Sequence, residues 1–181
     1  MDPRTPILVG CGQITDTKSH PTGERSRVAF CAEAANLALE DTRARIGGHA
    51  LGHEIDAVVV LPDHLHAVWT LTPGDADFST RWRLIKTHFA KALPKEERLS
   101  AVRARRGERG IWQRRFWEHQ IRDDVDYERH MDFIHYNPVK HGIAKRVSVW
   151  PYSTFHRYVS AGVYPADWSG DPEVAIGKGG E

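Results

Sequence analysis

Apolar positions along the chain follow two periods. Ile55-Asp56-Ala57-Val58-Val59-Val60-Leu61 is β-branched and nearly all apolar, which predicts a buried strand. Pro62-Asp63 predicts a turn, and His64–Leu71 a second strand running back, so the pair reads as a hairpin. Pro6–Gly10, a short apolar run closed by glycine, predicts another strand. Elsewhere the spacing is helical. Val28, Cys31, Ala32, Ala35 and Leu39 predict a helix to about Ile46, stopped by Gly47-Gly48. Trp82, Ile85, Phe89 and Leu93 share one face of a helix that starts from an N-cap at Ser79 and breaks at Leu93-Pro94. A later helix begins at Asp124 or Asp126 and runs to about Tyr136, where Asn137-Pro138 ends it. Residues 15–27 and 72–78 are turn-rich, 95–110 are charged and expected to be mobile, and the glycine-rich tail beyond Pro165 is expected to fray.

Composition narrows the class. A chain of 181 residues has room for about one domain, and 40% hydrophobic with 27% charged residues excludes a disordered tail. No stretch approaches the roughly 20 apolar residues of a membrane helix. Met1-Asp2-Pro3-Arg4 lacks the start of a secretory signal, and Cys11 and Cys31 are too few for a disulfide framework. These features point to a reduced, cytoplasmic setting with no membrane partner.

The net charge of +1 argues against a nucleic-acid partner only as an average. Residues 1–80 hold six Lys/Arg against eleven Asp/Glu, residues 81–122 hold thirteen against four, and residues 123–181 hold six against nine. The middle block, with Arg81, Arg83, Lys86, Arg114 and Arg115, is the electrostatic footprint of a DNA partner or else a solvated helix face. Within it, Ile111-Trp112-Gln113-Arg114-Arg115-Phe116-Trp117 interleaves aromatics with arginines. That pattern suits stacking on bases beside phosphate contacts, or core anchors beside solvated arginines. Lys140 and His141 extend the basic surface.

The sharpest local feature is His64-x-His66. Side chains at i and i+2 leave a strand on the same face, so two imidazoles there can grip one divalent ion and leave positions open for substrate. The apolar flanks fix their register.

These residues resemble a known family. VVVLPDHLHAVWTL, GDADFSTRWRLIKTHF, IWQRRFWEHQIRDDVDYERHMDFIHYNPVKHG and VSVWPYSTFHRYVSAGVYPADWSG look like the REP-associated tyrosine transposases, single-tyrosine HUH (IS200-like) enzymes. The likeness covers about residues 55–170, which it marks as the transposase domain. It implies an α+β, ferredoxin-like antiparallel sheet with helices packed on it. It further implies cleavage and rejoining of single-stranded DNA near hairpins such as REP-like palindromes. In that chemistry a tyrosine attacks phosphorus, forming a 5′-phosphotyrosine and freeing a 3′-hydroxyl, with Mg²⁺ or Mn²⁺ as cofactor. His64 and His66 match the metal pair, and Asn137 matches a further polar ligand.

Two departures accompany the likeness. The family's nucleophile lies four residues before that Asn, where this chain has Phe133, which has no hydroxyl to form the link. Tyr136, three residues on, is the alternative nucleophile. The start also differs. TPILVGCGQI and CAEAANLALEDT resemble the N-terminus of thiolase-like acetyl-CoA acetyltransferases, so residues 1–54 read as a foreign segment able to supply a strand and a helix. Either it docks in the sheet, or the fold keeps an exposed edge. Residues 171–181 read as a disordered tail. The expectation is a transposase-type protein that binds hairpin or single-stranded DNA. The alternative is a non-catalytic module for the same DNA, and beyond it a fusion without function. A monomer is the default; nothing in the sequence fixes the oligomeric state.

Overall fold

The computed structural model describes residues 6–10 (backbone), 53–95 and 99–170. The helix expected over 28–46, both cysteines and the tail from 171 lie outside the described residues. Strand β2 (His53–Val60) and strand β3 (Leu65–Leu71) form the expected hairpin, with Val60 opposite Leu65 and His53 opposite Leu71. The Leu61 N–H donates to the His64 carbonyl at 2.8 Å and closes the turn. Strand β1 (Pro6–Gly10) runs antiparallel between β3 and β4 (Trp117–Gln120), so the order is β2-β3-β1-β4. A strand from the N-terminal segment therefore sits inside the sheet, not at its edge. The order 4-1-3-2 is that of a ferredoxin-like sheet, and the class is α+β.

Side chains on β3 alternate between two helical layers. Leu65, Ala67, Trp69 and Leu71 face helix α1 (Phe78–Ala92), where Trp82, Ile85 and Phe89 meet them. His66 and Val68 face helix α3 (Asp124–Lys140), which contributes Met131, Phe133 and Ile134. Both faces are buried, which explains the near-continuous apolar run of β2. The outer edge of β2 is covered by the chain beyond the 3₁₀ turn Val147–Val149 and at the start of helix α4 (Phe155–Ser160). Val60 N–H donates to the Tyr152 carbonyl at 2.9 Å, and Trp150 Nε1 donates to the Val60 carbonyl at 3.0 Å. Such cover blunts edge-to-edge aggregation.

The ends of the helices differ from expectation in instructive ways. Asp77, not Ser79, caps α1, its carboxylate accepting the Thr80 N–H at 3.0 Å. At the other end Leu93 is extended before Pro94, and Arg109 donates to the Leu93 carbonyl at 2.9 Å and also to those of Ala90 and Pro94. A cation there complements the negative end of the helix. Part of the charged 95–110 segment is a short helix, α2 (Ala101–Arg105). Arg81 corrects the sequence reading outright. It is fully buried, ion-paired with Asp75, and donates to the Asp77 carbonyl at 2.8 Å. Its charge holds the entry to α1 and is not offered to DNA.

Helix α3 also runs past the expected stop. Pro138 lies inside it, withholding one donor in the last turn; the helix ends at Lys140, and Gly142, just past the His141 cap, has a φ of 65°. Gly142 N–H bonds the Val139 carbonyl and Ile143 N–H the Pro138 carbonyl, both at 2.9 Å, the paired bonds of a Schellman stop. Among the described residues no helix is long and apolar enough to cross a membrane.

Two stability measurements check this account. Gly142→Ala has open space around its new methyl but a left-handed backbone, so urea unfolding should show a loss of about 1–2 kcal/mol. Arg81→Ala removes the buried partner of the Asp75 carboxylate, which keeps the Asp77 N–H, and should lose about 3 kcal/mol by the same measurement.

Candidate metal and nucleic-acid site

His64 is the last residue before β3, one position outside the strand, and His66 is its second residue. Their rings still meet edge to face, with centroids 5.0 Å apart. His64 Nδ1 lies 2.7 Å from the Asp63 carboxylate. With Nδ1–H donating there, Nε2 keeps its lone pair, the arrangement by which a carboxylate orients a metal-binding imidazole. Burial, reinforced by His64, His141 and Lys140, pushes His66 down to about 3, so its ring is neutral and able to ligate near pH 7.

Helix α3 supplies the opposite wall. The buried Phe133 ring lies 5.5 Å from His66, edge to face, and the Lys140 ammonium sits 4.8 Å from the Phe133 centroid. The His141 ring is 5.1 Å from His64. Asn137 lies one helical turn beyond Phe133 on the same face. It is fully buried, and neither Nδ2 nor Oδ1 has a hydrogen-bond partner among the described residues. A buried primary amide left unsatisfied is costly, and an outside ligand would satisfy it. Tyr136 points elsewhere: its ring lies against Gly170, where an added Cβ would come within 2.3 Å of Cδ2. The ring that this helix brings to the histidine pair is Phe133, not the alternative Tyr136.

The basic block forms a groove of about 960 Å³ between α1 and the chain from 103 to 116. Arg83, Lys86, Lys91, Arg103, Arg114 and Arg115 line it. Lys86 Nζ donates to the Gln113 and Arg115 carbonyls at 3.0 and 3.2 Å, and Arg114 pairs with Glu108 at 2.9 Å. The aromatics are shared between core and groove. Trp112, expected among the DNA contacts, packs edge to face on Phe89 at 4.7 Å, Phe116 lies 6.0 Å from Trp82, and both half-buried rings also line the groove. Trp117 packs against the other core cluster.

One cluster escaped the sequence reading. His119 on β4 and Asp126 and His130 on α3 place one ligand atom each within 4.8 Å of one another. Burial opposes ionisation of Asp126, but hydrogen bonds from His119 and the Arg122 N–H outweigh it and hold the carboxyl at about 2. The missed signal was the i, i+4 spacing of Asp126 and His130, which shares a helix face.

No protein-family profile matches the chain. It is 54% identical over 118 residues to the REP-associated tyrosine transposase of Escherichia coli K12, a span that covers 65% of this chain and 64% of that protein. It is 50% identical over 124 residues to a Haemophilus influenzae protein assigned to the same family, covering 68% of this chain and 70% of that one. The chain thus spans about two thirds of the length of these relatives. A solved structure of a REP-associated tyrosine transposase bound to a REP hairpin superposes with a TM-score of 0.70 at 38% identity. That alignment covers 100% of this chain and 93% of the other. By sequence identity, coverage and fold together, this chain belongs to the REP-associated tyrosine transposases.

Proposed function

We propose that this protein binds hairpin DNA and keeps the metal-binding frame of its family while lacking the nucleophile for strand cleavage. The observation that carries the reading is Phe133. The resemblance places it at the family's nucleophile position, and it is seated against His66 with no hydroxyl to attack phosphorus. The rest of the site retains its chemistry, which supports binding without turnover over complete loss of function.

The residues fit a divalent cation such as Mg²⁺ or Mn²⁺. His64 is oriented by Asp63, His66 is neutral, and the buried Asn137 amide awaits a partner. When bound, such an ion polarises phosphate oxygens and stabilises charge on them. Lys140 adds positive charge beside the pair, and the groove lined by Arg83 and Arg115 suits the phosphates of a stem. The solved relative bound to a REP hairpin supports hairpin DNA as the partner.

A labelled hairpin oligonucleotide with a single-stranded flank tests the reading. The unchanged protein should bind it and form no covalent adduct in Mg²⁺ or Mn²⁺. Phe133→Tyr should gain an adduct, visible as a shifted band on a denaturing gel, and adding His66→Ala should remove it. An adduct at Tyr136 in the unchanged protein would overturn the proposal, as would the absence of hairpin binding. The groove makes a separate prediction. Arg83→Ala or Arg115→Ala should weaken binding to all sequences alike and flatten the plot of log affinity against log salt by about one unit per lost phosphate contact.

A further inference from the structure

We infer that His119, Asp126 and His130 form a second metal site, distinct from the His64 and His66 pair, which takes a transition ion of the Zn²⁺ class. Three observations converge on it. First, the donor set is two imidazoles and one carboxylate, the composition of three-residue zinc sites that leave a fourth position for water. Second, the spacing is close to that of ligands on one ion. His119 Nε2 lies 2.7 Å from one Asp126 carboxylate oxygen, and His130 Nδ1 lies 3.1 Å from the other. Donors bonded to Zn²⁺ at about 2.0–2.1 Å in a tetrahedron lie about 3.3 Å apart, and the three ligand atoms here all lie within 4.8 Å of one another, so an ion would draw the cluster inward by up to about 1.5 Å. Third, His130 is almost wholly buried, and its Nε2 has no partner among the described residues.

Nδ1 of His130 sits 2.7 Å from the Asp126 carbonyl as well as close to its carboxylate. With the proton on Nδ1, a lone pair on Nε2 is stranded inside the protein. With the proton on Nε2, a donor is stranded there and Nδ1 faces two acceptor oxygens. An ion on Nδ1 would still leave Nε2–H without a partner, whereas an ion on Nε2 would take the stranded lone pair while Nδ1–H donates to the Asp126 carbonyl.

The surroundings are those of a supported site. The Arg122 N–H donates to the Asp126 carboxylate at 3.0 Å, and the Asp126 N–H donates to Asp123 at 2.8 Å, which fixes the ligand-bearing turn. The His119 side chain keeps 25% of its surface exposed and gives the ion a way in. The Arg122 guanidinium, 74% exposed, leaves its charge largely screened by water. On binding, the ion replaces the proton that His119 shares with Asp126, and that proton leaves to solvent. The site then clamps β4 to the first turns of α3, upstream of Phe133 and Asn137.

Co²⁺ and Zn²⁺ titrations of the full chain carrying His64→Ala and His66→Ala test this, since the other imidazole pair is then gone. One equivalent of Co²⁺ should develop the visible absorption of a four-coordinate ion, Zn²⁺ should displace it mole for mole, and thermal unfolding should rise with Zn²⁺. Adding His119→Ala should weaken the site tenfold or more. His119→Cys should retain Co²⁺ and add a near-ultraviolet thiolate charge-transfer band, which a purely structural histidine would not produce. Absence of the Co²⁺ spectrum in the parent, or unchanged affinity after His119→Ala, overturns the proposal.

Discussion

The alternation of side chains along β3 is the constraint on which the rest depends. Its odd-numbered positions, Leu65, Ala67, Trp69 and Leu71, are taken by the layer under α1. That leaves His66 committed to the face of α3, beside Phe133. A slip of one residue would bury the imidazole among the tryptophans and turn Trp69 toward the site. Antiparallel pairing with β2 on one side and β1 on the other excludes that slip. The position of the histidine pair is thus fixed by the hydrophobic burial of its neighbours.

Electrostatics then divides the basic residues by role. Arg81 and Arg109 are spent inside the fold, one on the Asp75 carboxylate and one on the carbonyls closing α1. Arg83, Arg103 and Arg115 remain exposed at the groove. A local excess of charge is therefore no simple measure of what a surface offers a polyanion. The distinction is one of burial, which sequence spacing along a single helix only partly encodes.

Much of the architecture was legible in the chain. The hairpin, the face of α1 and the strand Pro6–Gly10 follow from periods of two and 3.6, which local burial enforces. The helix boundaries were less so. Asp77 and Ser79 are both good caps, and only the backbone entering α1 decides between them. Pro138 looked like a stop because proline withholds a donor, yet the loss falls in a last turn that Gly142 closes two bonds later. In the site, adjacent residues such as His64 and His66 were readable. The meeting of His119 with Asp126 and His130 joins a strand to a helix, so no short pattern announces it in full.

The central place of β1 has a consequence for how the chain is made. Leu8 pairs with His119 and with Val68, partners separated from it by about a hundred residues and by sixty. The β2–β3 hairpin needs only local closure and can form early. Strand β1 can pair with β3 once residue 71 has been synthesised, but β4 can close its other side only after residue 120. Until then the sheet ends at β1, or at β3 where β1 has not docked, and that open edge faces other chains. Expression temperature and chaperone supply, more than final stability, should govern how much of this protein reaches its folded state.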